Sequence, residues 1–397
     1  MSNTELPGGW EISKLCNVVE KFIDYRGKTP NKTLSGIPLV TAKVVKSGKI
    51  LEPNEFINEN DYDSWMTRGL PKYNDVVLTT EAPLGEVGLI KDCNIALAQR
   101  IITIRCYSEI MNNVYLKYYL QSEQGQYELD SRASGTTVFG IKASVLKELP
   151  VILPPLPEQK AIAEVLSSLD DKIDLLHKQN KTLEDMAQTL FREWFIEKAD
   201  EGWEEVKLKE VVDVGIGRTP PRKETQWFST NPEDIKWVSI KDMADDGVFT
   251  LSSSEYLTQD AVQKFNVPII PNHSVLLSFK MTLGRVKITT EPMLSNEAIA
   301  HFKFHDKTPF NKEYLYLFLK SYPYQTLGST SSIVTSINSV IIKNMLIIVP
   351  DSNTIMRFTK TVEVQFNKIN VNQKQIKSLE QTRDTLLPKL MSGEVRV

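Results

Sequence analysis

Long apolar runs are missing from this chain. The longest, such as Met-Leu-Ile-Ile-Val at 345–349, are far too short to cross a bilayer, which takes about 20 residues in a helix. Cysteine is scarce as well: Cys16, Cys93 and Cys106 stand too far apart for a disulfide framework or a zinc site. The opening Met-Ser-Asn-Thr-Glu has neither the basic nor the apolar region of a secretory signal. These absences predict a soluble, cytoplasmic protein. A basic excess is missing too, since the formal net charge is −3 over 397 residues. Any contact with DNA must therefore come from local patches, or with help from a partner.

Catalytic motifs are equally absent. Gly-Ile-Gly at 215–217 is followed by Arg-Thr-Pro, which is not the spacing of a dinucleotide or methyl-donor loop. Gly-Lys-Thr at 27–29 has Phe22 where a phosphate-binding loop needs its first glycine. The Pro-Pro pairs at 154–155 and 220–221 lack the aromatic neighbour of an amino-methyltransferase motif. His301 and His305 share a strand face without a third ligand nearby, so they read as packed or solvated histidines. No catalytic residue, no metal site and no cofactor site is predicted on this chain.

What the chain does have is a stretch that organises the rest. Pro-Pro-Leu-Pro-Glu-Gln at 154–159 opens a long run without Gly or Pro. In it Ile162, Leu169, Leu176, Leu183 and Leu190 recur every seven residues. Leu166, Ile173, Asn180, Ala187 and Trp194 form a second seam offset by four, the alternation a coiled-coil stripe requires. Gly202 is a plausible stop. About 40 helical residues reach ~60 Å, more than a compact domain needs, so the helix reads as a spacer or partner-binding rod. Asn180, polar on an apolar seam, either fixes pairing register or marks a place where the seam meets water.

The element occurs twice. A shift of 196 positions lays Val-Ile-Leu-Pro at 151–154 on Ile-Ile-Val-Pro at 347–350, and Leu190 on Leu386. The second stripe runs through Phe358, Val362, Ile369, Ile376, Leu379 and Leu386, with Gln365, Asn372 and Arg383 interrupting it. Pro388 is expected to break its last turn. The segments before the helices also correspond. Gly-Trp-Glu at 9–11 matches 202–204, Gly-Lys-Thr-Pro at 27–30 matches Gly-Arg-Thr-Pro at 217–220, and Leu-Gly at 84–85 matches 283–284. Many matches in one order indicate internal duplication. Each half is a mixed α/β domain of short strands (1–150 and 202–346) followed by a long helix (151–201 and 347–397). Residues 158–201 hold 6 Lys and Arg against 11 Asp and Glu, while 347–397 hold 8 against 5. Nets of −5 and +3 favour pairing of the two helices.

This architecture resembles the specificity (S) subunit of type I restriction-modification systems. The resemblance rests on Leu-Pro-Pro-Leu-Pro-Glu-Gln at 153–159 and Leu-Leu-Pro-Lys-Leu-Met-Ser-Gly at 386–393, and it covers the whole chain. It implies an α+β fold with two α/β target-recognition domains, each followed by a long helix. It also implies a non-catalytic role: reading a bipartite double-stranded DNA target and recruiting two methyltransferase subunits, then restriction (translocase/endonuclease) subunits. Methyl donor, ATP and Mg are expected on those partners. Pro155, Glu158 and Gln159 are the implied partner-docking residues. The second copy departs from the motif, with Pro-Asp-Ser-Asn-Thr-Ile at 350–355. Two equivalent readers on one duplex are best related by a two-fold rotation, so an antiparallel helix pair with pseudo-two-fold symmetry is expected.

Candidate DNA contacts lie in basic, polar loops, because base edges are read by Arg, Lys, Asn or Gln and phosphates by Lys, hydroxyls and amides. In the first half these are Arg26, Lys28, Lys32, Lys43, Lys46, Thr136 and Thr137. In the second they are Arg218, Arg222, Lys223, Lys241, Lys280, Arg285 and Ser331. The alternative function is a coiled-coil adaptor that assembles partners without reading DNA; it would show no specific duplex binding. A stand-alone methyltransferase or nuclease is disfavoured by the missing motifs.

Overall fold

The computed structural model describes residues 6–135, 137–245, 247–327 and 337–397. The chain forms two compact units, Met1–Lys172 with Leu379–Val397, and Ile173–Ser378. The division falls inside both long helices, Leu156–Arg192 and Ser352–Ser392. Each unit therefore holds one α/β domain and one stretch of each long helix.

In the first unit an antiparallel sheet runs in the order Val19–Asp24, Ile101–Cys106, Val76–Thr80, Leu84–Leu89. Ile-Ile-Thr-Ile-Arg-Cys is buried along its whole length, as a central strand covered on both faces must be. A second four-stranded sheet contains Ile37–Val40, paired in parallel with Ala96–Leu97. Two helices follow, Asn113–Gln121 and Glu123–Asp130, broken at Ser122. Ser122 caps the second of these: its hydroxyl accepts from the amide of Gly125.

The second unit repeats the order. Asp213–Ile216, Ile299–Lys303, Val275–Ser278 and Val286–Thr289 form its main sheet, extended by Phe249–Thr250. The helix Lys312–Ser321 is capped by Asn311, as Asn113–Gln121 is by Asn112. Tyr115 and Tyr314, three residues after each cap, donate to the carbonyls of Ile152 and Ile348. These carbonyls lie on the strands Pro150–Leu153 and Leu346–Val349, which pair antiparallel with Glu11–Lys14 and Glu204–Lys207 and lead into the long helices.

Within each unit the two helix stretches run antiparallel. In the first, Asp170 meets Arg383, while Ile162 and Leu166 share a core with Leu386, Leu390 and Met391. In the second, Asn180 meets Asn372 and Phe191 meets Phe358. Numbers rise on one helix as they fall on the other. The seam follows the heptad through Ala187 and then drifts: Phe191 and Phe195 are the deeply buried residues, while Leu190 and Trp194 are only partly covered. A straight helix turns every 3.6 residues and overtakes a strict seven-residue repeat. The helix then closes in a π-helical turn at Glu193–Glu197, short of Gly202.

Pro388 does not break the second helix, which continues to Ser392. Proline removes one backbone hydrogen bond, and burial of Leu390 and Met391 in the first unit's core holds the following turn in place. Two buried aliphatic side chains stabilise by about 1.5–3 kcal/mol each, comparable to the ~3 kcal/mol a helical proline costs.

Candidate nucleic-acid interface

The loop after Val19–Asp24 is folded around Tyr25, whose hydroxyl accepts from the amides of Arg68 (3.1 Å) and Gly69 (3.2 Å) and whose ring stacks on Trp65. Arg26 is half-buried. Its Nε donates to the Asp24 carboxylate (3.0 Å) and its Nη1 to the carbonyl of Ile141 (3.1 Å), so it shapes the loop. Lys32 and Lys43 converge on Glu55 at 2.8 and 3.7 Å, and the Lys32 hydrogen bond holds the Glu55 carboxyl below its usual range. Lys28 and Lys46 are exposed. Thr137 is exposed as well, while Thr136 lies outside the described residues.

In the second domain Arg218 donates to the carbonyl of Phe265 (2.6 Å), and its own carbonyl accepts from the Trp237 indole (3.1 Å). Arg222 grips Glu255 with both terminal nitrogens (2.7 and 3.0 Å) and lies over the rings of Phe228 and Trp237. Arg285 donates to the carbonyl of Ile240 (2.8 Å), beside the exposed Lys241. Lys223 and Lys280 are exposed, Lys280 with its amine 5.6 Å from the Phe279 ring centre. Ser331 lies outside the described residues. The predicted cations thus divide by environment. Arg26, Lys32, Lys43, Arg218, Arg222 and Arg285 have protein partners. Lys28, Lys46, Lys223, Lys241 and Lys280 form no ion pair among the described residues. Glu55 and Glu255 have no sequence signal, because the cations they hydrogen-bond, Lys32 and Arg222, lie 23 and 33 residues away.

A hairpin occurs in the same form in both domains. It joins Val76–Thr80 to Leu84–Leu89, and Val275–Ser278 to Val286–Thr289. At its base the Thr79 hydroxyl accepts from the Glu86 amide (2.9 Å), and the Ser278 hydroxyl accepts from the Arg285 amide (3.1 Å). Gly85 and Gly284 have φ of +87° and +88°, a region open to glycine, and a side chain there would press on Gln126 or Tyr324. Ala82 and Met281 occupy equivalent tip positions with φ of +48° and +61°.

The predicted docking motif is turned inward. Glu158 is buried; its carboxylate accepts from the Trp10 indole (3.0 Å) and from two Arg396 nitrogens (2.8 Å each). The Arg396 hydrogen bonds hold its carboxyl below the usual range. Gln159 accepts from the Asn112 amide and donates to the carbonyls of Ile110 and Pro154. Pro155 is exposed. In the divergent second copy Asp351 caps its helix, accepting from the amides of Asn353 and Thr354 at 3.0 Å. The first motif thus ties its helix start to the domain before it, while the second caps its own helix.

Gly215 and Gly217 serve packing: a Cβ on Gly215 would overlap the His301 imidazole, and one on Gly217 would overlap the Ser295 backbone. His301 is buried and burial pushes its pKa down to about 4, while His305 is exposed and its Nδ1 accepts from the Lys307 amide. Among the described residues no three His, Cys, Asp or Glu side chains group as metal ligands, and no helix is long and apolar enough to cross a membrane.

Comparison with known proteins places this arrangement. The family profile described as type I restriction modification DNA specificity domain matches twice, at residues 7–185 and 200–381. The MjaIX specificity subunit of a type I restriction enzyme from Methanocaldococcus jannaschii is 27% identical over 99% of this chain and 95% of that protein. The MjaVIII specificity subunit from the same organism is 24% identical over 100% and 95%. The crystal structure of a type I restriction-modification S subunit from M. genitalium shares the fold, with a TM-score of 0.58 at 16% identity over 98% of this chain and 97% of that one.

Proposed function

The chain belongs to the type I restriction modification DNA specificity family, and from that premise we propose that each α/β domain reads one half of a bipartite double-stranded DNA target. The chain is the recognition component of a cytoplasmic restriction-modification assembly. It joins two methyltransferase subunits and, with them, restriction subunits. Methyl donor, ATP and magnesium bind on those partners; this chain contributes recognition and no catalytic step. The observation that carries the reading is one loop frame built twice with different exposed side chains. Lys28 and Lys46 stand on the first domain, and Lys223, Lys241 and Lys280 on the second. Cations without a protein partner are free to neutralise phosphates, whereas Arg26 and Arg222 must first leave a carboxylate.

The test is the salt dependence of duplex binding by the full chain assembled with its methyltransferase. Replacing Lys28 and Lys46 by Ala, or Lys223 and Lys280 by Ala, is expected to weaken binding to all sequences alike. Each substitution should lower the slope of log K against log salt by about 1. Unchanged slopes in both double variants would remove these lysines from the interface. Assembly with the partner subunits but no preference for target over nonspecific duplex would favour the adaptor role.

A further inference from the structure

We propose that the duplicated hairpin is a base-contacting probe, and that Met281 at its tip in the second domain, with Phe139 beside its tip in the first, is the apolar side chain that enters the target duplex. The proposal rests on the DNA-reading role given above and adds the residues that set specificity.

Met281 is 98% exposed, so its side chain packs on nothing within the protein. It is also held in an uncommon conformation. Its φ is +61°, and the amide of Thr282 bonds the carbonyl of Lys280 at 2.7 Å across it, which makes a γ-turn of the rarer, strained hand. A non-glycine residue is strained in that region and stays there only where its surroundings hold it. The base of the hairpin does hold it, through the Ser278 hydroxyl, the left-handed Gly284 and the return of the Gly284 amide to the Ser278 carbonyl (3.0 Å). The result is a rigid turn that holds an unbranched, polarisable side chain in solvent, with Lys280 next to it. Apolar side chains of this kind contact thymine methyl groups or wedge between base steps.

The first domain keeps the left-handed tip residue and the hydroxyl-bonded base, but Pro83 has no amide to close a γ-turn, and the tip side chain differs. Ala82 takes the left-handed position, and alanine is too short to reach a base stack. The neighbouring strand bridge Glu81 to Gly140 brings Gly140 and the adjoining Phe139 beside this tip. Their loop closes on itself through the paired backbone bonds of Ser134 and Gly140 and presents Phe139, 64% exposed. Among the described residues, the most exposed apolar side chain at the second hairpin is Met281 on its tip, and the most exposed one beside the first is Phe139 on the adjoining loop. A frame repeated with its tip chemistry altered is what reading two different half-sites requires.

The experiment uses the full chain assembled with its methyltransferase and maps modified sites across a library of single-base variants of the target. Met281→Ala is expected to relax selectivity about tenfold at one or two adjacent positions of one half-site. Phe139→Ala should do the same in the other half, and Met281→Leu should restore selectivity. Fluorescence of 2-aminopurine placed at the relaxed position should rise on binding of the parent and not of the alanine variant. Both side chains are exposed, so thermal midpoints should not move. A control exchanges residues 204–349 for those of a subunit with a different known target. If that exchange leaves the target unchanged, the DNA-reading role itself fails and the probe with it. If the exchange moves one half-site while both alanine variants keep the parental profile, the domains read DNA and the apolar probes are overturned.

Discussion

Gly215 and His301 lie opposite each other on paired strands, and that one register position explains two sequence features that looked like chemistry. The glycine is there because any side chain would overlap the imidazole. The histidine is neutral and buried, with Nδ1 lacking a hydrogen-bond partner. Gly215→Ala is expected to destabilise the second unit by about 1–3 kcal/mol through overpacking, and adding His301→Ala should recover part of the loss. Urea midpoints of the four proteins of the cycle check it. The pH dependence has a definite direction. The folded pKa of about 4 lies below the ordinary value, ~6.5, so the unfolded chain takes up its proton first as pH falls. The contribution is intact above about pH 6.5 and is lost progressively down to about pH 4, to a total of about 3 kcal/mol. A His301→Leu variant should lose this part of the pH dependence, read as the change in urea midpoint between pH 7 and pH 4.5. An identical pH profile in parent and variant would contradict a depressed His301.

At the scale of elements, much of the protein was legible in the sequence. The heptads, the duplication and the pairing of the helices follow from periodicity, repeated motifs and charge, because those properties are local or recur at a fixed offset; the antiparallel direction follows instead from the two-fold relation of two readers on one duplex. What was not legible involves partners remote in sequence. The bonds that Trp10 and Arg396 make to Glu158 join residues far apart in the chain and have no local signal. Pro388 looked like a stop because helix propensity says nothing of the core that holds Leu390 and Met391. Met281 had a sequence signal, its place in the Lys-Met-Thr tip aligned with Glu-Ala-Pro at 81–83, but a search for charged readers passed over it. The two readings of Asn180 are now separated: it does not meet water. Asn372 donates to its side-chain oxygen at 2.9 Å and to Gln179 at 2.8 Å. Replacing either asparagine alone by leucine leaves a buried polar group without its partner and should cost about 1–3 kcal/mol. Replacing both should recover that loss while weakening the preference for one helix register. Chemical denaturation gives the energies, and cysteine cross-linking at neighbouring seam positions gives the register. A double variant less stable than the sum of the singles would show that the pair does more than satisfy itself.

At the scale of the whole chain, the two units differ in how they are assembled from sequence. Ile173–Ser378 is continuous, whereas the first unit joins Met1–Lys172 to Leu379–Val397. Its core needs the late segment: Leu390 and Met391 are buried against Ile162 and Leu166, and Arg383 bonds Asp170. Burial opposes the Asp170 charge, but Lys117, Tyr118 and Arg383 outweigh it and hold the carboxyl below its usual range. A fragment of residues 173–378 is expected to unfold cooperatively by itself. A fragment of residues 1–172 should do so only when a peptide of residues 379–397 is added, with circular dichroism and thermal melts as the measurement. Cooperative melting of 1–172 without the peptide would show the late segment to be dispensable.

That discontinuity also carries a timetable. A ribosome releases the first domain early, yet the strip that covers Ile162 and Leu166 is translated only after the whole second unit. The second unit, continuous in the chain, can settle while the first still waits with an apolar face uncovered. Of the two units the earlier-made one is therefore completed later, and chaperones holding the nascent chain should be found on its first helix until residues 379–391 have emerged.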